Sequence, residues 1–152
     1  MIENRRLTTR ELQMLGMAAN GMRDQAIAKA TGLSPFTVNV MFDKAAQRLG
    51  TSTRPRAVIA AFESQQLDLD SFVNDDDLAK INLLTHRQRE VLFSMHKKLG
   101  SKNREKAIGE ELEIKSGTVR NHKQAMYRTV GAGSQTRAVV LGYAAELRGM
   151  TF

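Results

Sequence analysis

Apolar side chains along this chain recur at helical spacing. In the first half Leu12, Leu15 and Ala19 stand three to four residues apart, the interval that lines one side of a helix. Thr8 or Thr9 is placed to cap that run and Gly21 to stop it. A short second helix is predicted over Arg23–Thr31, ended by Gly32. A third opens at Ser34 with Pro35 in its first position, where a missing N–H costs nothing. Its apolar stripe is Val38, Met41, Ala45 and Leu49, and Gly50 ends it. A last, Ala-rich helix covers about Arg54–Gln66. The scheme then returns, with helices near Arg87–Leu99, Glu105–Leu112, Ser116–Val130 and Gln135–Leu147, and a third-helix stripe of Val119, His122, Met126 and Val130. Almost nothing alternates with a period of two, so the fold class is all-α.

The return of the scheme is a sequence repeat. LTTRELQML at Leu7–Leu15 recurs as LTHRQREVL at Leu84–Leu92, a shift of 77 positions. Ile27–Gly50 matches Ile108–Gly131 at a shift of 81, which aligns Thr37-Val38 with Thr118-Val119. Arg56-Ala57-Val58 matches Arg137-Ala138-Val139 at the same shift. The four extra residues of the second copy fall near Lys97–Arg104, as a longer helix or loop. Two four-helix domains are expected, 1–66 and 84–152, joined by a linker, 67–83. That linker carries Asp68, Asp70 and the run Asp75–Asp77; carboxylates favour a helix N-terminus, so they suit a short helix starting near Leu78.

Composition narrows the function. Of 152 residues, 41% are hydrophobic and 26% charged, too apolar for disorder, and no apolar run reaches membrane length. The absence of cysteine excludes a disulfide scaffold, a thiol nucleophile and a zinc finger, and fits a cytoplasmic setting. The start, MIENRRLTTRE, lacks the order of a signal peptide and is read as part of the mature protein. A net charge of +7 favours a polyanionic partner. Residues 1–70 hold nine basic and seven acidic side chains and residues 71–152 fourteen and nine, so the second half is where a phosphate-binding surface is sought. Three scattered His without Cys give no metal site, the Asp75–Asp77 run has no glycine-bearing calcium loop around it, and no nucleophile elbow or phosphate loop occurs. No enzyme activity, catalytic residue, metal or cofactor is expected.

A short helix, a turn with Gly or another small residue, and a longer helix opening Ser-x-x-Thr-Val make a helix-turn-helix, whose second helix fits the DNA major groove. Both units resemble the LuxR-type (GerE-like, also NarL/FixJ) helix-turn-helix family. That family runs Leu-Thr-x-Arg-Glu, Asn-Lys-Glu-Ile-Ala, Thr-Val-Lys-x-His, Lys-Leu-Gly and a closing Arg-x-x-Ala-Val. The resemblance covers roughly Leu7–Gln66 and Leu84–Arg148. It implies a bacterial DNA-binding transcriptional regulator acting in the cytoplasm on the nucleoid, with double-stranded DNA as partner and no membrane. At the family's backbone-contacting Lys the second copy has Lys106 and the first has Gln25; after Thr-Val the second has Arg120 and the first Asn39; His122 keeps the family's His, which Met41 replaces.

Helix positions away from the core stripe are Ser116, Arg120, Asn121, Gln124 and Arg128 in the second copy. In the first they are Phe36, Asn39, Val40, Asp43 and Gln47. Arg and Asn pair bidentately with guanine and adenine edges, whereas Asp43 would be repelled by phosphates. The candidate DNA-binding set is therefore Lys106, Lys115, Ser116, Thr118, Arg120, Asn121, Lys123, Gln124 and Arg128, with Thr37, Asn39 and Lys44 from the divergent first copy. Small residues on the fourth helices, Ala57, Ala60 and Ala61, then Ala138, Gly142 and Ala145, have two readings: they match the helix that forms the family's dimer contact, which implies a homodimer, or they simply close each small lobe. The rival reading is an anti-activator or co-regulator whose first domain, with Phe36 and Val40 expected to be exposed, captures another LuxR-type protein; a second alternative is RNA polymerase recognition in the manner of a sigma factor's promoter-binding region, against which the closing Arg-x-x-Ala-Val favours the LuxR type. Most family members resemble a sensor or receiver fused to one such unit; neither copy here reads as having one before it, so no ligand or phosphorylation input is expected.

Overall fold

A computed structural model describes residues 6–98 and 104–150. Among the described residues every long element is helical: α1 Thr9–Ala19, α2 Asp24–Thr31, α3 Pro35–Arg48, α4 Arg54–Glu63, α5 Asp75–Ile81, α6 His86–Lys97, α7 Arg104–Leu112, α8 Ser116–Val130 and α9 Gln135–Leu147. The chain divides into two compact units, Met1–Phe72 with Gly133–Arg137 and Val73–Ala132 with Ala138–Phe152.

In the first unit α1 begins in a capping box. Thr8 Oγ1 accepts from the Glu11 N–H, and Glu11 Oε1 accepts from the Thr8 N–H at 2.8 Å, which satisfies two of the four N–H groups a helix start leaves over. Glu11 is only 4% exposed and its other oxygen meets Arg48 at 3.3 Å, which ties the start of α1 to the end of α3. Gly32 ends α2 with a φ of +73°, the left-handed conformation a glycine adopts without a Cβ clash. Ser34 caps α3 and Pro35 takes its first position. Leu15, Ile27, Val38, Ala57, Val58 and Ala61 form the dry centre, joined by Phe42, which lies outside the sequence-predicted stripe yet is buried. α4 stops at Glu63, three residues before the expected Gln66.

The second unit repeats the plan. Thr85 and Gln88 make the capping box of α6, and Leu92, Met95, Ile108, Val119, Met126 and Val139 are buried. His122 is partly buried at the edge of the stripe. α8 and α9 have the predicted bounds. The expected end of α6 at Leu99 lies outside the described residues, as do most of the four additional positions. The acidic segment differs from expectation. Its helix starts at Asp75, three residues before Leu78, because Asn74 and Asp77 form a capping box and three carboxylates fill the first turn. Ile81 is fully buried, and α5 packs on α8.

The small residues of the fourth helices are not open surface. Ala57, Ala61, Ala138 and Ala145 are fully buried. A Cβ on Gly142 would come within 3.2 Å of the Leu92 carbonyl, so α9 seats closely on α6. Ala57, Ala61, Ala138 and Ala145 are thus spent on closing the fold, the second of the two readings of these faces.

Candidate nucleic-acid interface

Each unit carries the helix-turn-helix as α2–α3 or α7–α8. In the second unit the turn is built on Gly109 and Glu113. A Cβ on Gly109 would stand 2.5 Å from the Ile114 carbonyl oxygen, so only glycine fits where the turn folds back. Glu113 takes the left-handed conformation (φ +59°) that Gly32 takes in the first unit. Arg87 of α6 donates to the Leu112 carbonyl at 3.4 Å, covering the end of α7.

This scaffold presents α8. Its buried side is Val119, Met126 and Val130, and Thr118, Arg120, Asn121, Gln124 and Arg128 are exposed. Ser116, its first residue, is half-buried, and Lys115 stands exposed at the N-cap, where no side chain caps the helix. Lys106 is exposed on α7. Thus seven of the nine candidate residues of this unit are exposed along one helix-turn-helix, and Ser116 and Lys123 are half-buried.

Lys123 departs from the expectation of a groove-facing side chain. Its side chain is 15% exposed and its Nζ lies 3.3 Å from Glu105 Oε2. The repeat explains this: Lys123 occupies the position of buried Phe42, so its stem follows the core and its ammonium turns to a carboxylate. Glu105 also receives Arg120 Nη2 on Oε1 at 3.2 Å. Its partial burial works against ionisation, but Lys123 first and Arg120 second outweigh it, and the carboxyl is held below its ordinary value.

In the first unit the same positions carry a different network. Asp24 stands where Glu105 stands, and its partner is Arg54, the first residue of α4. Arg54 Nη2 donates to Asn39 Oδ1 at 2.8 Å, and its guanidinium lies 4.4 Å over the Phe42 ring. Asn39 is exposed but its carbonyl is engaged. Thr37 is half-buried, its hydroxyl 3.0 Å from Ser34 Oγ. Lys44 is exposed, and Phe36 is 77% exposed.

Glu105 and Arg54 were absent from the candidate set. The signal available was an acid at corresponding places, Asp24 and Glu105, beside helix-turn-helix cations. Among the described residues no cluster of His, Asp and Glu could hold a metal ion, and no helix is long and apolar enough to cross a membrane.

Comparison with curated proteins and with solved structures gives no match. The family model GerE, "Bacterial regulatory proteins, luxR family", matches residues 5–61 and again 82–141, most of the chain in two successive copies. The chain, with its two helix-turn-helix units, belongs to the luxR family of bacterial regulatory proteins, a family of DNA-binding transcription regulators.

Proposed function

We propose that the chain is a sequence-specific regulator of transcription that binds double-stranded DNA chiefly through its second domain, residues 84–152, with 1–66 a divergent first domain and 67–83 a connecting segment. The observation that carries this reading is the exposed face of α8. Arg120, Asn121, Gln124 and Arg128 stand opposite its buried stripe, and Arg and Asn are the side chains that read guanine and adenine in the major groove. The corresponding face of α3, with Asn39, Val40, Asp43 and Gln47, offers no cation. Lys106 and Lys115 add positive charge beside α8, where phosphates would be met. The site of action would be the nucleoid in the cytoplasm.

Wild type, Arg120→Ala, Lys106→Ala and Phe36→Ala are compared on a duplex selected from a random pool and on a shuffled duplex, across a salt series. Arg120→Ala is expected to cost about 1–3 kcal/mol on the selected site and to flatten preference; Lys106→Ala weakens both duplexes alike and lowers the salt slope by about one unit. Full site preference in Arg120→Ala overturns the reading.

A second reading has its own observation, the 77% exposure of Phe36 at the start of α3. An exposed aromatic on a helix whose face corresponding to that of α8, Asn39, Val40, Asp43 and Gln47, carries no cation suits a protein partner, another LuxR-type regulator or RNA polymerase, and would make the chain a co-regulator or anti-activator. In the same experiment this reading expects Phe36→Ala to leave DNA binding intact and to abolish capture of that partner.

A further inference from the structure

We infer that Glu105 is a positioning residue for base selection, holding Arg120 in the orientation that meets a base edge; this rests on α8 being the DNA-reading helix. Both carboxylate oxygens are used, Oε1 by Arg120 at 3.2 Å and Oε2 by Lys123 at 3.3 Å. Lys123 is 15% exposed and anchors the carboxylate from the core side. The guanidinium it holds is 60% exposed. One of its amino groups is committed to Glu105, and a guanidinium has further donors in the same rigid plane with which to meet a guanine. An arginine on an exposed helix face otherwise loses rotamer freedom when it docks, so fixing it beforehand lowers that cost for the matching base. The carboxylate also penalises the wrong sites. It repels phosphates and competes for the guanidinium, so Arg120 is withheld from non-specific backbone contact.

The first unit supplies an independent argument. Its acid at the same repeat position, Asp24, pairs with Arg54 of α4, leaving Asn39 in the place of Arg120. The helix-turn-helix therefore forms without a cation of the reading helix serving this acid. Pairing Glu105 with Arg120 is a property of the second reading helix and not a requirement of the fold.

The test uses the full chain as wild type, Glu105→Gln, Glu105→Asp and Arg120→Ala, on a duplex selected by wild type and on a shuffled duplex, with helix content followed by circular dichroism. Glu105→Gln is expected to tighten binding to the shuffled duplex severalfold, to steepen its salt slope by about one unit, and to lower site preference about tenfold. Glu105→Asp keeps the charge, and the first unit holds Asp24 at this place. It should leave shuffled-duplex binding unchanged while lowering preference through a shorter reach. A purely structural role would weaken both duplexes together with loss of helix content, and that result overturns the inference. Unchanged preference in Glu105→Gln, with preference lost in Arg120→Ala, overturns it while leaving α8 as the reader. Full preference in Arg120→Ala removes the reader itself and the inference with it. Should Glu105→Gln fail to fold, Glu105→Asp decides: an unchanged preference overturns the inference.

Discussion

Arg54 and Asn39 lie 2.8 Å apart, Nη2 to Oδ1, at the two repeat positions that hold Gln135 and Arg120 in the second copy. The same guanidinium pairs with Asp24 and covers the Phe42 ring, so one cation joins α2, α3 and α4. In the second unit the corresponding acid is served from α8, by Arg120 and Lys123.

Replacing Arg54 by Gln, the residue of the second copy, should destabilise the first unit by about 1–2 kcal/mol. A half-exposed ion pair contributes a few tenths to about 1 kcal/mol, and the cation over an aromatic face a similar amount. A lower urea midpoint at unchanged slope is the expected result. An unchanged midpoint would show the network to be energetically silent.

Glu11 and Gln88 hold the same place in the two capping boxes. Glu11→Gln should therefore keep the cap and lose only the Arg48 contact, a cost of about 1 kcal/mol or less. Glu11→Ala leaves the Thr8 N–H without its acceptor and removes a buried charged bond, a cost of about 2–3 kcal/mol. Thermal unfolding of the pair reads the difference; equal losses would refute the shared role.

The Glu105 carboxyl is held below its ordinary value of 4.5 in the folded state, its own burial opposing and Lys123 and Arg120 prevailing. A folded value below the unfolded one contributes stability above the ordinary value, and that contribution is lost as pH falls through the lowered one. Glu105→Gln should flatten this part of the acid-side decline. Urea midpoints of both proteins from about pH 3 to 6 check it, and parallel curves would exclude the contribution.

No side chain caps α8, because Lys115 stands where Ser34 caps α3. Lys115→Ser should stabilise the second unit by about 1 kcal/mol. It should also weaken DNA binding, since it removes a cation beside the reading helix. Calorimetry and duplex titration on one preparation measure both, and unweakened DNA binding would remove Lys115 from the interface.

The helices and their order were legible because their signals are local. Ser34-Pro35 opens α3, Gly131 closes α8, and the spacing of Val119, Met126 and Val130 marks its buried side. α5 starts three residues before Leu78, its first apolar residue, because the cap bond between Asn74 and Asp77 sets its start. The inward turn of Lys123 and the Arg54–Asp24 pair were not legible. Both depend on side chains 18 and 30 positions apart meeting across packed helices, and no periodicity records which cation reaches which acid. Comparing the copies residue by residue comes nearest, since Phe42 under Lys123 announces an inward position.

The counter-charge of the helix-turn-helix acid sits in different hands in the two copies, and this sets how each can change over time. In the second, replacing Arg120 strips Glu105 of one of its two partners on α8, so a change at this exposed position also reaches into the fold. In the first, Arg54 on the closing helix pairs with Asp24, and exposed positions of α3 such as Phe36 and Asp43 can change without leaving that acid unpaired. Duplication thus yields one helix face whose exposed arginine is tied to the fold's own acid and one whose exposed positions are not.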